Sequence, residues 1–408
     1  MLGYSIVIPL LVFLVQKFGG NAVIYGVLGA IYPTFQLFGA PLLGRWSDEI
    51  GRKRVLLWSQ IGTLIAWGLF ILALILPVEQ LFQVESTLLG TFFISAPLLI
   101  LFFARALDGL TGGNVSVANA YLSDISTDKT RKGNFGKMAS STSMGFIIGP
   151  MIASVLGATI YGELLPIILA ALISLIAIFV IKRYLPESLS RPVDPNLEGF
   201  KLSKLFQIEH KECYETEHCP EDLTFKKVLG IKRVKLMYGM YFLTFLGFSF
   251  FYSAFPVYGV EYLSWNPSKL GIFFTLSSVI MVIIQGPVLS YLADKVLDRW
   301  LVIGGSFLLA ISFFLLPQGS DFWAYAGVAV LAVGNGLMWP SFLSLLSNVG
   351  SPTQQGTIQG FASSMGSAAS IVGLVLGGIL FGFFGPSLFY VAAGILVFIF
   401  LLAFRLPE

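Results

Sequence analysis

Long apolar runs alternate with short charged breaks along almost the whole chain. A helix needs about 20 apolar residues to cross the hydrocarbon core of a bilayer. On that measure the runs predict twelve spans, at 1–16, 22–43, 55–76, 97–122, 137–160, 164–182, 236–258, 268–292, 300–316, 323–346, 358–384 and 386–404. The apolar stretch 88–95 reads as an extension of the fourth span or as a loop helix. The first span is short, which implies a helix that starts upstream of Met1.

A weak internal repeat divides the pattern in two. Leu2-Gly3-Tyr4-Ser5 recurs as Leu246-Gly247-Phe248-Ser249, and Pro41 and Asp48 recur as Pro287 and Asp294. Ser143-Met144-Gly145 recurs as Ser364-Met365-Gly366, in the same order. The expected fold is therefore an all-α, polytopic membrane protein with two pseudo-symmetric six-helix bundles, residues 1–186 and 234–408. Residues 187–233 are polar and charged, and read as a linker between them.

Composition narrows the class. The chain of 408 residues is 56% apolar and 12% charged, where soluble domains carry about 25% charge. A net charge of +3 spread over loops excludes a nucleic-acid partner. The basic residues are sorted: 22 of 25 fall in alternate loops, the 182–235 segment or the C-terminal end. Basic loops mark the cytoplasmic side, so a multi-pass cell-membrane protein with both termini cytoplasmic is expected. No Gly-x-x-x-x-Gly-Lys phosphate loop is present, which argues against an ATP-driven pump.

Arg105 and Asp108 carry the most chemistry. A charge within a span costs at least ~2.5 kcal/mol on insertion scales, so it faces a wet cavity or a partner. Asp108 lies one turn on, on nearly the same face. The pair is either a protonation-linked couple or a buried structural ion pair. Tyr32, Gln36, Tyr252, Gln285, Asn335 and Trp339 are candidates to line a greasy cavity with a few polar fixed points. Aromatic residues of the seventh span, Tyr241 to Tyr252, are candidates too, or else face lipid. His210, Cys213, His218 and Cys219 cluster in the linker, but their spacing fits no closed zinc site, so neither metal nor cofactor is expected.

Between spans two and three the chain reads Gly44-Arg45-Trp46-Ser47-Asp48-Glu49-Ile50-Gly51-Arg52-Lys53-Arg54. The spacing Gly44-x-x-x-Asp48-x-x-Gly51-Arg52-Lys53 resembles the signature loop of the major facilitator superfamily. Arg105-x-x-x-Gly109-x-x-x-Gly113 resembles that family's fourth-helix motif. Gly145-x-x-x-Gly149-Pro150 resembles the fifth-helix motif of its drug:proton antiporters, although Ala153-Ser154 replaces the glycine pair that follows there. Leu185-Pro186-Glu187-Ser188 also looks like that branch, which includes tetracycline exporters.

The resemblance implies a monomeric secondary transporter, not an enzyme. It would move a small amphipathic solute by alternating access, as a proton-coupled efflux antiporter, with the lipid bilayer, protons and substrate as its partners. It implies a cytoplasmic gate in which Arg52 pairs with Asp124, and Asp48 lies near the end of the eleventh span. An importing uniporter or symporter, and a non-transporting receptor on the same scaffold, are the alternatives.

Overall fold

The computed structural model describes residues 2–86, 89–126, 128–188, 228–231, 233–293, 295–347, 349 and 355–406. The first half holds α1 (Leu2–Lys17), α2 (Ala22–Ile50), α3 (Arg52–Ile75), α4 (Ala96–Gly112), α5 (Asn114–Asp124), α6 (Asp128–Gly157) and α7 (Leu164–Tyr184). The second holds α8 (Val234–Glu261), α9 (Pro267–Ile283), a π-turn (Ile284–Val288), α10 (Leu289–Ala293), α11 (Asp298–Leu315), α12 (Asp321–Ser347), α13 (Gln355–Phe384) and α14 (Leu388–Ala403). Taking α4 with α5, and α9 with the π-turn and α10, these helices match the twelve expected spans.

Local sequence sets several starts. The Asn21 carboxamide accepts from Val23 and Ile24 N–H at 3.1 Å, and Asn266 accepts from Lys269 N–H at 2.9 Å. Both occupy the position where Asn best satisfies the orphan donors of a first turn. Pro267 follows as the first helical residue, where its missing N–H costs nothing. Pro287 cannot donate, and the ladder around it opens to the π-turn.

In the first half α2 and α3 pack on α4, α1 on α6, and α3 on α7. In the second, α8 packs on α13 and α14, α11 on α12 and α14, and α9 on α12. The halves meet along α2 with α13 and along α6 with α9.

Three features differ from the sequence reading. Residues 89–95 form no helix: strand β1 (Gln80–Ser86) pairs antiparallel with β2 (Gly90–Ser95). Thr91-Phe92-Phe93-Ile94 favours a pleated surface, Ser95 caps α4, and Pro97 disfavours helix just before it. The charged loop is mostly helix, since α2 runs to Ile50 and only Gly51 breaks it, at φ 102°. Likewise α6 starts at Asp128, ahead of the expected 137. Hydropathy marks where a helix leaves the bilayer, not where it ends.

The second half is centred on stacked aromatics. Phe255 lies 4.0 Å from Phe273, centroid to centroid, and packs with Phe251 and Phe389. Phe250 and Phe251 are therefore core, neither cavity lining nor lipid-facing.

Candidate functional site

Glycines build the site by letting α2 lie against α4. A Cβ on Gly109 would sit 2.5 Å from the Tyr32 carbonyl oxygen, and one on Gly113 would sit 2.5 Å from Ala40 N. The Gln36 amide donates to Gly112 O at 3.0 Å and fixes the register. Arg105 stands on the same α4 stripe, one turn before Gly109. The close approach thereby brings the Tyr32 ring to 4.8 Å from the Arg105 guanidinium carbon. Tyr4 on α1 lies 5.7 Å away, and the two tyrosine rings are 4.8 Å apart.

Arg105 is 3% exposed and Asp108 7%. Arg105 Nη1 and Asp108 Oδ2 are 3.7 Å apart, long for a hydrogen bond. Among the described residues, Arg105 Nε and Nη1 have no acceptor. The guanidinium is thus held by two aromatic faces and one distant carboxylate. Such a group keeps hydrogen-bonding capacity in hand.

The fifth-helix motif lies between α1 and α9. Ser5 Oγ donates to Gly145 O at 2.7 Å, and a Cβ on Gly149 would collide with that hydroxyl. On the other face, Pro150 O lies 2.7 Å from where a Cβ of Gly271 would stand. One turn on, Ser154 Oγ donates to Ser268 O at 2.8 Å. The motif therefore joins its own half to the other.

The six candidate lining residues form two groups. Tyr32 and Gln36 belong with Arg105. In the second half, the Asn335 amide is 3.5 Å from Met281 sulfur, and Trp339 stacks edge-on to Tyr241 and Phe245. Gln285 lies half-buried in the π-turn. Tyr252 stacks on Phe274, and its carbonyl accepts from the Tyr25 hydroxyl at 3.1 Å.

At the charged end, Arg52 Nε lies 3.1 Å from Asp124 Oδ2, and Nη1 donates to Ser47 Oγ at 2.5 Å. Glu187 completes the arrangement. Its carboxylate accepts from Arg52 N at 2.8 Å and Lys53 N at 3.1 Å, a negative charge on the N-terminus of α3. Ser188 Oγ donates to Asp124 at 3.0 Å, and the Tyr121 hydroxyl to Pro186 O at 3.1 Å. In the sequence, Glu187 stands out only within the tetrapeptide Leu185-Pro186-Glu187-Ser188. Its signal was an acid just past a helix, within reach of a glycine-broken turn. Arg54 is exposed, and a Cβ on Gly44 would meet nothing closer than Ser116 Oγ, at 3.8 Å. The Asp48 side chain, Asp294 and the His210/Cys213/His218/Cys219 cluster lie outside the described residues.

The seam is closed at the end opposite the charged loop. There, Gly26 faces the Leu374 carbonyl, and Gly378 faces Ala22 O and Gly26. Toward the charged end, Leu37, Phe38 and Pro41 on α2, and Gln359, Ser363 and Ser364 on α13, are exposed.

The family model of the Major Facilitator Superfamily matches residues 1–211 and 237–408. The chain belongs to that superfamily. It is a membrane-embedded secondary transporter, not an enzyme. Among curated relatives, this facilitator is 23% identical over 383 residues to the class D tetracycline resistance protein of Salmonella ordonez, covering 93% of this chain and 86% of the relative. It is 26% identical over 393 residues to multidrug resistance protein 2 of Bacillus subtilis (strain 168), covering 93% and 85%. Two solved structures share the fold. The human organic anion transporter MFSD10 (TETRAN) aligns with TM-score 0.65 at 20% identity, over 98% of this chain and 95% of its own. A bacterial homologue of the iron transporter ferroportin, in an inward-facing state, aligns with TM-score 0.69 at 16% identity, over 99% and 94%.

Proposed function

We propose that this facilitator is a proton-coupled exporter of a small amphipathic solute, working as a monomer in the cell membrane. The observation that carries the reading is the buried Arg105–Asp108 pair, with the guanidinium against the Tyr4 and Tyr32 rings. A carboxyl there, out of bulk water and next to one guanidinium, is the group to load and release a proton. The names of the tetracycline and multidrug resistance relatives support export of a drug-like compound.

In this reading residues 1–186 and 234–408 rock about the seam, and 187–233 links them on the cytoplasmic side. Both termini lie there too, because the basic residues concentrate at that end. The structure then corresponds to an inward-open state, closed on the outside by the Gly26–Gly378 and Gly271–Pro150 approaches. The Arg52–Asp124 pair, with Glu187, lies within the first half and is intact in this open state, so it serves the gate indirectly, by holding the charged end of that half in shape to meet α13 when the cytoplasmic side closes.

Purified protein in proteoliposomes, supplied with tetracycline and a panel of amphipathic solutes, tests the proposal. Asp108→Asn should keep solute exchange without a gradient, since rocking then needs no proton. It should lose accumulation driven by a pH gradient. An Asp108→Asn variant that concentrates solute as well as the parent removes Asp108 as the coupling acid.

A further inference from the structure

The end opposite the charged loop holds a cavity of about 580 Å³, within the ~300–1,000 Å³ typical of small-ligand sites. Both halves supply its walls. Asn21 and the hairpin tip at Gly90 come from one; Glu261, Tyr262, Phe381 and Phe384 come from the other. The hairpin is firmly placed: Asn21 Nδ2 donates to Leu89 O at 2.8 Å, and Phe93 N to Gly19 O at 3.0 Å. Phe381 meets the Tyr262 ring edge-on at 6.2 Å.

Among the described residues lining the cavity, Glu261 is the one charged side chain, and it is exposed. The Gln16 side chain stands near its carboxylate, whose lone pairs remain to accept from a ligand. A lone carboxylate amid aromatic rings favours a cation with apolar substituents, by direct charge attraction and by the ring faces. We propose that this cavity is a binding site for amphipathic organic cations, that is, quaternary or protonated ammonium groups and their phosphonium analogues. Its occupant touches both halves and so holds this end shut. Resting on the alternating-access reading above, it slows the cycle without entering the Arg105 site.

Equilibrium dialysis of the purified full chain in neutral detergent tests this, with tetraphenylphosphonium and tetraphenylborate as probes. The two ions match in shape and differ in charge. The phosphonium should bind at least ten-fold more tightly than the borate. Glu261→Gln should weaken the phosphonium at least ten-fold, while Glu261→Asp, which keeps the charge, should retain most of the affinity. Short-chain phosphatidylcholine is then added: displacement identifies a choline headgroup as an occupant of the same chemistry, and no displacement leaves a free solute. Equal binding of both ions overturns the proposal. So does binding that survives Glu261→Gln but is lost in Asp108→Asn, which would place the cation in the central site. The assay uses no gradient, so failure of proton coupling leaves its result standing.

Discussion

Replacing Gly109 with Ala tests whether the glycine stripe builds the site. The new Cβ would stand 2.5 Å from Tyr32 O, 2.9 Å from Phe35 Cβ and 3.1 Å from Tyr32 Cα. Unstrained contacts need about 3.5 Å, so α2 and α4 must part by roughly 1 Å. Two of the three neighbours are backbone atoms, so no rotamer change relieves the clash. Overpacking of this kind costs about 1–3 kcal/mol. Ala also gains up to ~1 kcal/mol of helix propensity over Gly. Gly68→Ala supplies the control: it lies inside α3 with nothing within 4 Å of the new Cβ, so it takes the propensity gain alone. The expected result is Gly109→Ala less stable than Gly68→Ala by about 1–3 kcal/mol, read from unfolding in detergent. Transport should also fall, because the shift carries the Tyr32 ring away from Arg105. If Gly109→Ala matches Gly68→Ala in stability and transports like the parent, the stripe does not set the geometry.

Gly51→Ala should lower the unfolding midpoint more than Gly44→Ala. Gly51 sits at φ 102° with a Glu187 oxygen 2.6 Å from any added Cβ, whereas Gly44 meets only Ser116 Oγ at 3.8 Å; equal midpoints would refute the strain argument. Arg52→Ala should cost about 1–3 kcal/mol of stability, since the Arg52 side chain is buried and its loss leaves Ser47 and Asp124 without their partner. Its effect on the gate should appear as faster thiol labelling of Ser364→Cys in a background lacking Cys213 and Cys219, and unchanged labelling would count against a gate. Asp108→Asn should separate exchange from uphill transport, and uphill transport equal to the parent's would count against it as the coupling acid.

The twelve spans were legible because the bilayer imposes a length on every apolar run, and the sequence shows those lengths directly. Arg105, Asp108 and their glycines were legible because charge within a span is rare. The hairpin was not. Five of the eight residues 88–95 are apolar, which suits the end of a span by composition, and the deciding contacts, Phe93 to Gly19 and Asn21 to Leu89, come from far along the chain. The division of aromatics into buried and exposed was equally hidden. Phe251 and Tyr252 are adjacent and chemically alike, yet one is 2% exposed and the other 39%. Only the helix's rotation against α9 and α14 separates them.

The placement of charge bears on how such a machine can move. The ion pairs among the described residues, Lys17–Glu163, Arg45–Glu49, Arg52–Asp124, Arg105–Asp108 and Lys269–Asp321, each join residues of one half. What crosses the seam there is different in kind. Among the described residues the hydrogen bonds that cross it are neutral, Tyr25 to Tyr252 O and Ser154 to Ser268 O, and backbone approaches over glycine lie beside them. A neutral hydrogen bond is worth about 0.5–1.5 kcal/mol net, and glycine contacts contribute by dispersion that either closed end could supply. Parting a buried ion pair costs several kcal/mol, because each charge is left without its partner. A seam held by neutral contacts can therefore open at one end and close at the other over a modest barrier. The charges inside each half meanwhile keep that half rigid. In such a design a small bias suffices to choose the open end, and in the function proposed above protonation of Asp108 supplies it.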